Sequence, residues 1–192
     1  ALCIGLPMGA LGGWKGGKVD VVIMRLVDIM SALPVLLLAF LIMLRMGASY
    51  WNVLLALSLT TWIEICRLTR GQFLTLREKE FVEASRSVGA RTPRIVFAQI
   101  LPNALAPIIV SVTLGIPRAI FAEAALSFLG VGINPPTPSW GQMIGREGIA
   151  NMTYFWHLAL FPAIMIAFTM LGFTLVGDGL RDLQAAAAAG AQ

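Results

Sequence analysis

The sequence predicts an all-α polytopic membrane protein, and three observations carry that prediction. Hydrophobic residues fill 58% of the 192 positions and charged residues only 12%, about half the roughly 25% share usual in a soluble domain. The apolar residues gather into runs of bilayer-crossing or near-crossing length. Lys and Arg concentrate between those runs, on one alternating side.

The opening stretch ALCIGLPMGALGG has no basic n-region, so it reads as the back half of a spanning helix and not as a secretory signal. Between Asp28 and Arg45 lie 16 uncharged residues, IMSALPVLLLAFLIML, which as a helix span roughly 24 Å. That is short of the ~30 Å hydrocarbon core, but Arg45 can extend its stem and place its charge at the interface, so the run qualifies as a crossing. The next runs from Met46 to Ile63, with Tyr50, Trp51 and Trp62 near its ends as interfacial aromatics. A fourth, from Ile95 to Pro117, contains Pro102, Pro107 and Pro117, and the last begins near Leu158 and ends at Gly177. With the opening fragment this gives five crossings.

Alternation then groups residues 12–28, 64–94 and 178–192 on one face. These hold Lys15, Lys18 and Arg25, then Arg67, Arg70, Arg77, Lys79, Arg86, Arg91 and Arg94, then Arg181, which is eleven of the fourteen basic residues. The opposite face holds Arg45 and Arg146. The richer face is therefore expected to be cytoplasmic, with the C-terminus on that side. Five crossings and a cytoplasmic C-terminus put the first residue outside or within the bilayer, so one earlier crossing, six in all, is expected. Residues 1–183 are expected to form one transmembrane domain, followed by the low-complexity tail 184–192, QAAAAAGAQ, which is too short for a stable isolated helix. No internal repeat of fixed period occurs.

The formal charge of +4 is distributed to orient the chain and does not imply a nucleic-acid partner. Cys3 and Cys66 sit in apolar surroundings without CxxC spacing or a His partner, so both are expected to be packed thiols, with no disulfide and no metal site. His157 is the only histidine, and no GxSxG, HExxH or GxxxxGK[ST] string occurs. The chain is therefore not expected to be an enzyme, to bind a cofactor, or to hydrolyse ATP.

The densest charge lies in REKEFVEASRSVGARTPRIVFAQILPN, Arg77 to Asn103. Within it Phe81, Ala84, Ser85 and Val88 recur at i, i+3, i+4 and i+7, predicting a short amphipathic helix with those residues on its apolar face. Gly89 is a left-handed stop, and Thr92 and Pro93 supply an N-cap and a first-turn residue for a second helix. This hairpin, about 77–94, suits either the headgroup plane or a groove on a soluble partner, and pattern alone does not choose.

The residues also carry a resemblance. EAS at Glu83 to Ser85, Gly89 six residues beyond Glu83, and LP at Leu101 and Pro102 resemble the EAA signature of permease subunits of ABC importers, with Ser85 where the family form has a second Ala. FVEASRSVGA, ILPN, EAALSFLGVGINPPTPSWG and LVGDGLRD, in that order, resemble the second, C-type permease subunit of dipeptide, oligopeptide and nickel importers, over Gly5 to Asp182. The resemblance implies a helical bundle like that of type I ABC importer permeases, in a bacterial or archaeal cell (inner) membrane. It implies four kinds of partner: a second homologous permease, two cytoplasmic ABC ATPases that bind the ATP and Mg, an external substrate-binding protein, and the surrounding lipid. It also implies that Glu83 to Gly89 form the coupling helix seated in an ATPase cleft. Ala84 and Ser85 are small enough for close approach, Gly89 allows a sharp turn, and Glu83 offers a carboxylate; the plainer role for Glu83 is to cap or solvate the hairpin.

Three charged residues close to or within apolar segments are candidates for the pathway or for intramembrane pairing: Glu64, Arg118 and Glu123. Arg118 and Glu123 are five positions apart, about 140° around a helix, so a direct mutual pair is not expected. GINPPTPSWGQM, Gly132 to Met143, is expected to be a rigid outer loop, either a stiff connector or, as the resemblance implies, a contact for the delivering binding protein. Trp140 and Trp156 suit interface anchors. The leading expectation is an ATP-driven importer subunit for peptides or nickel complexes. A self-sufficient channel or ion-coupled carrier, with Glu64 or Glu123 as an ion site, is the alternative, and a non-transporting scaffold a third.

Overall fold

The computed structural model describes residues 1–189 and is helical throughout its regular structure, with no strand among the described residues. In chain order the elements are α1 (Leu2–Lys15), α2 (Gly17–Ser31), α3 (Val35–Met46), α4 (Tyr50–Leu76), α5 (Glu80–Ser87) and α6 (Thr92–Ile95). A π-helical turn (Val96–Ile100) leads into α7 (Leu101–Phe128), then come α8 (Trp140–Gln142), a second π turn (Met143–Gly148) and α9 (His157–Ala189). These form two compact units. The first comprises Ala1–Ala32, Thr61–Val112 and the described part of Leu180–Gln192, the second Leu33–Thr60 and Thr113–Gly179.

In the first unit α1 lies against the second half of α4 along a row of glycines. Gly5, Gly9 and Gly13 recur every four residues, so they share one face of α1. A Cβ added at Gly5 would come within 2.6 Å of the Trp62 carbonyl, one at Gly13 within 2.6 Å of Phe73 Cβ, and one at Gly9 would strike the Cys66 carbonyl. The absent side chains let two backbones meet as small-xxx-small rows do in membrane helices. Cys66, buried, belongs to this contact. Cys3 does not: it is exposed, because two residues before Gly5 it points away from the glycine face. The expectation that both thiols are packed thus holds only for Cys66.

Charge ties the same unit together. Arg70 on α4 grips Asp20 on α2 through both carboxylate oxygens, the Nη2 to Oδ2 bond measuring 2.6 Å. Arg67 makes a more exposed bond of 2.9 Å to Asp28 Oδ1. A core of Phe73, Val82, Ile95, Ile100, Ala104 and Ile108 joins α4, α5 and the helix beginning at Thr92.

The second unit is built on Ala39, Met43, Val53, Ala56, Leu126 and Ile133, drawn from α3, α4, α7 and the loop after α7. Helix α7 ends at Gly130 (φ +78°), where Val131 N donates to Leu126 O at 3.1 Å and Gly130 N to Ser127 O at 3.0 Å. This is a Schellman closure, which only glycine makes without strain. Gly177 of α9 meets Leu114, whose side chain lies 2.5 Å from the position a Cβ would take.

Two helices among the described residues are long and apolar enough to cross a membrane, Thr92–Phe128 and His157–Gln184, or three if the bent pair Gly17–Ser31 and Val35–Met46 is one span. Only 6% of the apolar window of the His157–Gln184 helix is buried, against 28% for Thr92–Phe128, so α9 presents its leucines and phenylalanines to an apolar surrounding. Of the other expected crossings, α1 is only 14 residues long, and α4 mixes an apolar first half with Glu64, Arg67 and Arg70.

The run between Asp28 and Arg45 is not the single helix expected. It breaks at Leu33 and Pro34, between α2 and α3. Proline has no N–H to continue the ladder and pushes the residue before it out of the helical region. Helix α4 continues 13 residues past the expected end at Ile63, so much of 64–94 is helix and not loop. The tail is not an isolated segment either: α9 carries on through Ala189, and Gln184 Nε2 donates to Ala106 O at 2.6 Å. Gly190 to Gln192 lie outside the described residues.

Candidate functional site: the hairpin between α4 and the helix from Thr92

Helix α5 and its flanking turns form the expected helix, turn and helix. Arg77, just past α4, donates from Nη1 to Gly13 O at 3.0 Å, which fixes where the chain leaves α4. Glu80 and Glu83 fall in the first turn of α5 and Arg86 in its last, each complementing the helix dipole. The helix stops as the sequence predicts: Gly89 adopts φ +81°, Ala90 N donates to Ser85 O at 3.0 Å and Gly89 N to Arg86 O at 2.9 Å. These two bonds make a full Schellman motif.

The apolar stripe expected from the sequence is largely left open, and a different side of α5 meets the protein's own core. Val82 is wholly buried, whereas Phe81 is 38% exposed and Val88 84%, and Ala84 is exposed too. Three bonds and contacts set this rotation. Val82 enters the cluster with Phe73 and Ile100; the Ser85 hydroxyl accepts from Gln99 Nε2 at 2.7 Å and lies 3.0 Å from its Oε1; and the Arg86 guanidinium stands 5.3 Å from the Trp14 ring centre on α1, within cation–π range. One side of α5 is thus bound to the protein's own core. The side bearing Phe81, Glu83, Ala84, Val88 and Gly89 is left open.

The second helix starts one residue earlier than expected. Arg91, in an extended conformation, is the N-cap, and Thr92 and Pro93 occupy the first helical positions. Pro93 remains in the first turn, where its missing N–H costs nothing. Gln99 lies in the π turn just before Pro102, and Asn103 Nδ2 donates to Gln99 O at 2.7 Å. Such a widened turn beside a proline accommodates the lost ladder bond.

Glu64 is exposed on α4 in the first unit. Arg118, exposed, and Glu123, half-buried, both lie on α7 in the second. Glu123 Oε1 accepts from Ser127 Oγ one helical turn on, at 2.7 Å. The loop 130–139 has no regular helix, as its prolines and glycines require, but Trp140–Gln142 and Met143–Gly148 are helical, so the irregular stretch ends before the expected Met143. Ser139 caps α8 by accepting from Gln142 N at 3.2 Å. Trp140 and Trp156 are 39% and 57% exposed, compatible with anchoring. Among the described residues no group of three or more His, Cys, Asp or Glu could hold a metal ion.

Sequence pattern missed Val82, Gln99 and the Arg86 to Trp14 stacking, because each acts through a partner from another segment. Only the four-residue spacing of Gly5, Gly9 and Gly13 was open to inspection as a packing signal.

A long-helix membrane protein with a small helical hairpin, bound on one side and open on the other, is the class that this fold and site define. The chain belongs to the family of binding-protein-dependent transport system inner membrane components, which it matches over residues 5–189. It is 44% identical to the oligopeptide transport system permease protein OppC of Bacillus subtilis over 182 residues, 94% of this chain and 59% of that protein. It is 42% identical to the dipeptide transport system permease protein DppC of the same organism over 93% of this chain and 56% of that protein. With the glutathione transport system permease protein GsiD of Pectobacterium atrosepticum it shares 39% identity over 94% of this chain and 60% of the relative. The chain therefore spans somewhat more than half the length of these relatives. In fold it is similar to a chain of the inward-facing MetNI methionine ABC transporter, with a TM-score of 0.67 at 18% identity, covering 94% of this chain and 86% of that one. The resemblance to permeases of peptide importers is borne out.

Proposed function

We propose that this chain is a membrane-spanning subunit of an ATP-driven importer of peptides, and that α5 is its coupling helix. With a second homologous permease it lines the path, two cytoplasmic ATPases bind ATP and Mg beneath, and an external binding protein delivers cargo. On this reading the segments 12–28, 64–94 and the C-terminus face the cytoplasm, and α1 and α4 complete five crossings. The chain itself performs no covalent chemistry. When the ATPases close, α5 moves with them and tilts the helices between inward-facing and outward-facing states.

The observation that carries the proposal is the division of α5 into two sides. Val82, Ser85 and Arg86 hold it to the body of the subunit, so a push on its open side is transmitted and not absorbed. That open side offers an aromatic ring, a methyl, an isopropyl group and one carboxylate, the mixed anchor expected of a small docking helix. The three relatives are named for oligopeptide, dipeptide and glutathione transport, which supports peptides as cargo. The test is mass spectrometry of what co-purifies with the full-length chain from gently solubilised native membranes, with Glu83→Arg beside it. A second permease and ATPases are expected with the native chain, and fewer ATPases with the variant. Recovery of the chain alone in both would refute the importer reading in favour of a channel or carrier.

A further inference from the structure

The second unit contains an open pocket of about 380 Å³, within the range of small-ligand sites. Its wall includes Glu123 of α7, Tyr50 at the start of α4, Ile133, Ser139, Trp140 and Met143. The carboxylate is held in place from behind. Ser127, only 2% exposed, donates from Oγ to Glu123 Oε1 at 2.7 Å and accepts from Ile133 N at 3.0 Å. One hydroxyl therefore fixes both the acid and the loop that forms the opposite wall. Two glycines press that loop onto α7: a Cβ at Gly132 would lie 2.5 Å from Ser127 N, and one at Gly141 2.5 Å from Ala124 Cα. The cavity is preformed, so a ligand does not bear the cost of ordering it.

A single carboxylate beside two aromatic rings, with aliphatic neighbours, is the chemistry that selects an organic ammonium ion. A divalent metal would need several oxygen ligands. An ammonium group needs an acceptor and ring faces, which attract it through their quadrupoles. We propose that this cavity binds a primary ammonium group, with Glu123 accepting its hydrogen bonds and Tyr50 and Trp140 flanking it. On the importer reading above, on which this assignment of cargo rests, that group is the amino terminus of a peptide in transit.

The test uses the assembled transporter, with the full-length chain, in lipid nanodiscs without its binding protein, and two probes: L-alanyl-L-alanine and its N-acetyl derivative. The free dipeptide is expected to bind the native assembly about 10-fold tighter or more, the scale of one charge-assisted hydrogen bond. Glu123→Gln, which keeps an acceptor for Ser127, erases that preference. Trp140→Leu weakens binding of the free dipeptide several-fold and supplies the result should the first variant not assemble. Equal or absent binding of the two peptides by the native assembly, a preference that survives in Glu123→Gln, or undiminished binding of the free dipeptide by Trp140→Leu overturns the site. ATP-driven uptake after reconstitution of the same assembly into proteoliposomes, with its binding protein supplied on the cargo side, separates the two readings: uptake without amine preference sinks this site alone, while amine preference without uptake sinks the importer reading and leaves the site standing.

Discussion

Two valines six residues apart on the hairpin separate docking from folding. Val88 is 84% exposed and Val82 is wholly buried. Val88→Lys places a cation at the C-terminal end of α5, where the helix dipole favours it, so the subunit's stability should change by no more than about 0.5 kcal/mol. The same change puts a charge on the open face. If that face docks an ATPase, losing one apolar anchor costs about 1–2 kcal/mol, or roughly 5- to 30-fold in affinity. Val82→Ala does the opposite. It removes two buried methyl groups, at about 0.8 kcal/mol each for transfer, and leaves a cavity among Phe73, Ile95 and Ile100, for a total of about 2–3 kcal/mol. Thermal unfolding of the solubilised subunit should fall by several degrees for Val82→Ala and stay level for Val88→Lys. ATPase retention on the purified subunit should fall for Val88→Lys. Full retention of the ATPases by Val88→Lys, together with an unchanged melting temperature for Val82→Ala, would refute the two-sided account of α5.

Gly9→Leu should destabilise the subunit strongly, because its side chain would drive α1 away from the Cys66 carbonyl on α4. Gly71→Ala, where nothing lies within 4 Å, should be neutral or gain up to about 1 kcal/mol from helix propensity; comparing their melting temperatures checks both. Asp20→Asn should cost about 1–3 kcal/mol, since it leaves the partly buried Arg70 guanidinium without its carboxylate. Thermal unfolding at low and high salt should show that cost persisting, because a pair this sheltered is screened less than the exposed Arg67 to Asp28 pair.

Much of this protein is legible without coordinates. The low charge content and long apolar runs decide the solvent, and through it the helical class, because backbone polar groups in lipid must be satisfied within the helix. Gly89 and its neighbours announce the hairpin, since a left-handed stop followed closely by a proline-started helix needs only local chemistry. Glu83, Ala84, Ser85 and Gly89 stand out in the sequence because their spacing is itself the signal.

What the tertiary structure decided is which way these elements face and where they bend. The periodicity of Phe81, Ala84, Ser85 and Val88 marks a stripe on α5, but the buried residue is Val82, chosen by Gln99 and Trp14 from segments distant in sequence. The apolar run after Asp28 is continuous in composition, yet Pro34 divides it into two helices. Glu123 reads in sequence as one costly charge among three; in the fold it becomes the wall of a cavity, because Ser127 ties it to a loop that returns over α7. Composition and local backbone preference act along the chain and so survive in the sequence. Burial, facing and cavity formation depend on partners that only folding brings near.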